Sequence, residues 1–184
     1  RLGVDVSDDI PDFTGVLDAF HTLRGVLLAT LKGELVQQHR DEILSDIVKN
    51  VDVGFNMTPK RLIEAERVRW TLARHMAEFF ETHEFLICPA ASIAPFESEK
   101  PFITEIDGTP CKTYIDWFAI TFALTMTGCP VVSLPCGFTD EGLPMGLQIL
   151  SKPRREDELL SFAALLEEHF TVRDQLPIDP REAS

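Results

Sequence analysis

The sequence predicts an α/β fold, a mixed β-sheet flanked by helices. Segments with apolar residues every three or four positions open and close the chain, and that is helical periodicity. Between them lie the short apolar runs Phe85–Cys88, Val131–Leu134 and Met145–Leu150, punctuated by proline and glycine as buried strands are. Composition supports a packed interior. Of 184 residues 45% are hydrophobic, which excludes disorder, and a chain this long buries roughly 70% of its unfolded surface. Three segments follow: a helical lead-in over 1–57, an α/β part over 58–170 and a polar tail over 171–184.

The first ten or so residues read as loop. Val16, Phe20, Leu23, Leu27, Leu31 and Leu35 then form one helical row, in which Gly25 and Gly33 each cost about 1 kcal/mol against alanine and invite a break. Ile43, Leu44, Ile47, Val48 and Val51 form a second row, which Asp52 to Met57 interrupts. Thr58-Pro59 reads as an N-cap followed by proline at the first helical position. The helix it opens has Leu62, Ala65, Leu72, Met76, Phe79 and Phe80 on one side and a charged face on the other. Phe85–Cys88, closed by Pro89, is a strand, and the stretch from Ala90 to Pro101 is loop. Asp107-Gly108 is a hairpin-type turn.

Thr113 with Asp116 three residues on is a capping box before an apolar helix that Gly128 ends with positive φ. Val131–Leu134, bounded by Pro130 and Pro135, and Met145–Leu150 are strands separated by a turn region over Gly137–Gly142. Glu156, Asp157 and Glu158 open the last helix, at the end of its dipole that favours acids. Its apolar face is Leu159, Leu160, Ala163, Leu166 and Phe170.

With 17 basic and 30 acidic residues the net charge is −13, which argues against nucleic acid or anionic lipid as a partner. No two of Cys88, Cys111, Cys129 and Cys136 have the C-x-x-C spacing of a metal site, and each reads as a small buried hydrophobe before a reactive thiol. The longest apolar run, Trp117–Met126, falls short of the ~20 residues a bilayer requires, and no signal segment opens the chain. A soluble protein of the reducing cytoplasm is expected. The chain begins with Arg1 instead of Met, as expected of a piece of a longer protein.

No complete catalytic constellation is visible. The five histidines are scattered, and there is no G-x-S-x-G elbow, P-loop or G-x-G-x-x-G. Asp116 reads as a capping residue or as a substrate-reading carboxylate. Trp117 and Phe118 read as core or as pocket lining, and Gln148 as the owner of a buried hydrogen-bond partner.

The run Gly128-Cys129-Pro130-Val131-Val132-Ser133-Leu134-Pro135-Cys136-Gly137-Phe138, followed by Gly142-Leu143-Pro144-Met145-Gly146-Leu147-Gln148-Ile149, resembles the C-terminal part of amidase signature enzymes. Glu84–Pro89, Ala94-Pro95 and the acid-led helix from Glu156 are similar to that family's pattern too. The resemblance implies hydrolysis of a carboxamide C–N bond to carboxylate and ammonia or amine. It implies a serine nucleophile, a second serine that relays the proton, a lysine base and backbone oxyanion donors. In the family these groups belong to the N-terminal half, and none of their motifs occurs here. The chain is thereby expected to be the C-terminal portion of a single amidase domain, with no catalytic residue of its own. It would complement a missing N-terminal catalytic half, carry no metal or organic cofactor and form a homodimer through the apolar faces of its first helices.

Thr125 stands where the family often has asparagine. Phe118 stands where the family's A-type amidotransferase branch has the aspartate that reads the amino group of glutamine, with Asp116 two residues earlier. Trp117, Phe118 and Thr125 are the substrate-binding residues this implies, in a pocket more apolar than one for glutamine. A non-catalytic acidic binding or dimerisation module and the A-type subunit of a glutamyl-tRNA amidotransferase remain as alternatives.

Overall fold

A computed structural model describes residues 3–170 and 172. It divides into two compact units, one running to Glu81 and taking in Phe122–Gly128, the other comprising Thr82–Thr121 and the chain from Cys129. The tail expected over 171–184 lies outside the described residues, Val172 excepted.

The first unit is helical: α1 (Val16–His39), α2 (Ser45–Phe55) and α3 (Pro59–Phe79). Its buried α1 face is not the leucine row that periodicity picks out. Val16, Ala19, Thr22, Gly25, Gly33 and Val36 are buried, whereas Leu27, Leu31 and Leu35 are 55%, 65% and 48% exposed. Both rows have helical spacing, and the small one wins because α2 comes very close. A Cβ on Gly25 would lie 2.7 Å from Val53 Cγ1, and one on Gly54 would overlap the Gly25 carbonyl oxygen and sit 2.5 Å from Ala29 Cβ. Tertiary packing thus offsets the low helix propensity of glycine, so α1 continues through Gly25 and Gly33 without the expected break. For the same reason α2 continues through Gly54 to Phe55, past the interruption expected at Asp52. Val36, Val48 and Val51 form the centre of this hairpin, with Leu28, Ala29, Ile43 and Ile47 around them. Arg24 Nη1 donates to Asn50 Oδ1 at 2.7 Å, tying the two helices laterally.

Thr58 caps α3 as expected, its Oγ1 accepting from Arg61 N at 3.3 Å with Pro59 next. Ala65, Leu72 and Met76 are buried on one stripe, whereas Trp70 is 72% exposed.

The second unit holds β1 (Phe85–Pro89), the two-residue strands β2 (Glu105–Ile106) and β3 (Thr109–Pro110), β4 (Val131–Phe138), β5 (Pro144–Ser151) and α5 (Glu156–Phe170). The order β1-β5-β4 makes a three-stranded sheet with β5 central, pairing Leu86 with Leu150 and Val132 with Ile149. The helix-flanked sheet expected from sequence is present, and in place of a mixed sheet its pairs are all antiparallel. A short hairpin joins β4 to β5, as antiparallel pairing allows. β4 runs through Pro135, which the sequence marks as a boundary. Pro135 lacks an N–H, and it is accommodated because β4 is at the sheet edge and bulges between Pro135 and Gly137. Asp107 and Gly108, at φ 47° and 73°, form the predicted two-residue turn between β2 and β3.

Ile149, Leu150 and Ser151 of β5 are essentially fully buried. α5 packs on β4 and β5 with Leu159, Ala163 and Leu166 buried, and Phe162 stacks on Phe85 at 4.3 Å. Leu160, expected on the apolar face, is 62% exposed instead. The helix α4 (Ala119–Thr125) follows a 3-10 turn at Asp116–Phe118, and Gly128 follows it with φ 70° as expected. No described helix is long and apolar enough to cross a membrane.

Candidate functional site

The end of β1 is where the motif residues converge. The Ala90 N–H donates to the Gly146 carbonyl at 2.9 Å, extending the β1–β5 ladder by one bond. Gln148, 6% exposed, reaches across from β5. Its Nε2 donates to the carbonyl oxygens of Pro89 at 3.1 Å and Ala90 at 3.4 Å. Thr121 Oγ1 of α4 donates to the same Ala90 oxygen at 2.9 Å. Gln148 is thus partnered rather than turned to solvent, but its partners are carbonyls of the exposed Pro89 and the half-buried Ala90, so the bonds are part-buried and fasten the loop after β1.

That loop, the 3-10 turn and the start of β5 line an open, mostly apolar cavity of about 400 Å³. Its walls include Ala90, Ile93, Phe96, Trp117, Met145 and Gly146. Phe96 and Trp117 meet edge to face, ring centroids 5.3 Å apart at 89°, and Phe118 packs on Trp117 at 4.9 Å. The polar edge of Trp117 is satisfied locally, Nε1 donating to the Tyr114 carbonyl at 3.0 Å. Of the three residues expected to bind substrate, Trp117 lines this cavity, whereas Phe118 is not among its lining residues and meets Trp117 edge to face.

Thr125 is not brought to it. Thr125 lines a cavity of about 540 Å³ in the helical unit, with Phe20, Leu23, Trp70 and Gly128 among its walls, and its Oγ1 donates to the Phe122 carbonyl at 2.7 Å.

Asp116 is committed to the chain. Oδ2 accepts from the backbone N–H groups of Lys112 (2.8 Å) and Thr113 (3.0 Å), and Oδ1 accepts from Thr113 Oγ1 at 2.5 Å. Half of the expected capping box is thus present, the carboxylate reaching back to the Thr113 N–H. The threonine hydroxyl departs from that pattern and donates to the carboxylate instead. The feature missed from sequence is the loop from Ala90 to Phe96, which supplies most of the cavity wall. Its alanines and single proline carry no chemical signature, and only the Ala94-Pro95 dipeptide stands out.

The cysteines are half-buried and free, not fully buried as expected. Burial alone pushes the Cys88 thiol up to about 11, which keeps it neutral and poorly nucleophilic at pH 7. Among the described residues no group of three His, Cys, Asp or Glu is placed to hold a metal ion.

Comparison with known proteins places this geometry. The Amidase family model matches residues 12–160. The A-type subunit of glutamyl-tRNA(Gln) amidotransferase from Acaryochloris marina is 32% identical over 106 residues, covering 58% of this chain and 21% of that protein. Its counterpart from Nostoc punctiforme is 31% identical over 148 residues, covering 71% and 29%. Among solved structures, 6-aminohexanoate cyclic dimer hydrolase superposes with a TM-score of 0.80 at 23% identity over 96% of this chain and 40% of its own. A bacterial aryl acylamidase of the amidase signature family gives 0.73 at 19% identity, covering 96% and 38%. The chain thus spans about a fifth to less than a third of these curated relatives. With the model matched across most of its length, this chain belongs to the amidase family.

Proposed function

We propose that the protein of which this chain forms the C-terminal part is an amidase, hydrolysing a carboxamide C–N bond to carboxylate and ammonia or amine. The single observation that carries this reading is the family match over residues 12–160, which includes both β4 and β5 with their proline, glycine and glutamine pattern. In this reading the serine nucleophile, the relay serine and the lysine base are supplied by an N-terminal half. This chain contributes the sheet that backs them and a wall of the substrate pocket built on Trp117 and Phe118. The weak hydroxyl nucleophile requires such a base, and the oxyanion requires preorganised donors.

The names of the curated relatives favour a second reading, the glutamine-using component of a tRNA amidotransferase. Against it stands Asp116, whose carboxylate is held by two backbone N–H groups and one hydroxyl. Ammonia release by the protein from its complete reading frame, measured on aliphatic amides, aryl amides and L-glutamine, separates the two. Hydrolysis of simple amides is expected. Ammonia from glutamine alone, coupled to charged tRNA, would establish the second reading, and no release from any amide would overturn the first.

A further inference from the structure

Both ends of the loop from Ala90 to Phe96 are tied to one short segment of chain. At its far end the Phe96 ring meets Trp117 edge to face, centroids 5.3 Å apart. At its near end Thr121 Oγ1 donates to the Ala90 carbonyl at 2.9 Å. Trp117 and Thr121 are four residues apart, the first on the 3-10 turn and the second on the opening turn of α4 that continues it. The hydroxyl had a nearer choice. Thr22 and Thr30 of α1, Thr125 of α4 and Ser161 of α5 each donate to a carbonyl three or four residues back in the chain, the usual outcome for such side chains in helices. Thr121 instead reaches a residue 31 positions away in the sequence. The same Ala90 carbonyl also accepts from Gln148 Nε2, but at 3.4 Å, past the usual range of about 2.7–3.2 Å for an N–H donor. Thr121 is therefore the closer hold on that oxygen. The Ala90 N–H is bonded to the Gly146 carbonyl at 2.9 Å, which fixes the junction to β5 but not its distance from α4.

Resting on the amidase reading above, we propose that Thr121 is a positioning residue for substrate binding. Its hydroxyl holds the Ala90–Phe96 loop at a fixed separation from Trp117, and so sets the width of the cavity that the loop and Trp117 line. Thr121 touches no reacting group in this reading and acts through the Ala90 carbonyl. A displaced wall weakens the binding of substrate and transition state alike, so the loss falls on KM and spares kcat.

The test uses the protein from its complete reading frame, with butyramide and benzamide as substrates. Thr121→Val keeps the β-branched shape and removes the donor. It should raise KM about threefold to tenfold and leave kcat within about twofold of the parent, the size expected of one neutral hydrogen bond. Thr121→Ser keeps the hydroxyl and should keep the parent KM. Limited proteolysis reads the loop without any activity. Thermolysin, which cleaves before large apolar residues, should cut before Ile93 or Phe96 several-fold faster in Thr121→Val than in the parent or in Thr121→Ser. Thr30→Val, whose lost bond lies within α1, is the control and should change neither readout. Unchanged cutting in Thr121→Val, or Thr121→Ser behaving like Thr121→Val, would overturn the tether. Faster cutting with unchanged KM would overturn the role in substrate binding and leave the amidase. If the parent hydrolyses no amide, the amidase reading fails and the substrate role with it, and the cutting rates alone decide whether Thr121 holds the loop.

Discussion

The helix hairpin α1–α2 and the β1–β5 seam are both close approaches of backbone, but different forces hold them. In the hairpin, Gly25, Gly33 and Gly54 remove side chains so that two helices come within contact of each other's backbone, and the gain is dispersion over a small-residue seam. At the seam, Gln148 and Thr121 supply donors that pin carbonyls at the start of an irregular loop. The first kind of contact is intolerant of added atoms and the second of removed ones. That contrast assigns the first region to stability and the second to the shape of the candidate pocket.

Adding one carbon to the hairpin tests the contrast most severely. Gly54→Ala places a Cβ against the Gly25 carbonyl, a backbone atom that cannot swing aside. The helices must separate, and a loss of about 3 kcal/mol in urea unfolding is expected, at the upper end of overpacking costs. Gly33→Ala is the internal control. Its Cβ would meet Phe55 Cζ at 2.7 Å, but that atom ends a flexible, 52% exposed side chain. Displacement of the ring and a helix-propensity gain of about 1 kcal/mol should nearly cancel, leaving stability close to the parent. Equal losses for the two variants would show that the hairpin does not depend on backbone contact.

At the seam the sharper change is a subtraction. Gln148→Leu keeps the volume but leaves the Pro89 carbonyl without the side-chain donor it has now. Stability should fall by about 0.5–1.5 kcal/mol, since the carbonyl of the exposed Pro89 can turn to water. The loop after Pro89 should also become the first site of limited proteolysis, which is the readout that distinguishes loop release from general destabilisation. Unchanged proteolysis would mean the loop is held by Thr121 and its own packing alone.

The same contrast explains what is legible in the sequence. Strand β5 and the partnered role of Gln148 are readable because an amide between apolar residues has few other places to go. The Asp107-Gly108 turn, the Thr58 cap and the positive φ of Gly128 are readable because each depends on residue type over a span of a few positions. The buried face of α1 is not. Leu27, Leu31 and Leu35 share their spacing with the row of small residues, and only the proximity of α2 decides which row is inside. The edge proline in β4 misleads for a related reason: Pro135 forbids a ladder bond only where a partner strand stands on that side. Trp117 stands out in the sequence as an aromatic able to line a pocket, yet the Ala90–Phe96 loop that lines the cavity with it does not, because alanine and proline announce nothing about what they face.

The smallest expected effect concerns charge. Arg40 Nη1 and Nη2 bind Asp52 Oδ1 and Oδ2 at 3.0 and 2.5 Å, joining the turn after α1 to α2 beside the glycine seam. The guanidinium hydrogen bond, opposed weakly by desolvation, holds the Asp52 carboxyl below its ordinary value. A folded carboxyl with a depressed pKa stabilises above its unfolded value, and that stability disappears as pH falls through the folded one. Both side chains are well exposed, so water and salt screen the pair and its contribution is slight. Asp52→Asn should therefore fall slightly under the parent at pH 7, where the parent carboxylate is ionised, and the gap should shrink as pH falls below the ordinary carboxyl range. Raising the ionic strength to about 1 M should close most of that gap. If the variant instead lost as much as Gly54→Ala, the hairpin would be held by its ion pair more than by its missing side chains, and the contrast between the two regions would fail.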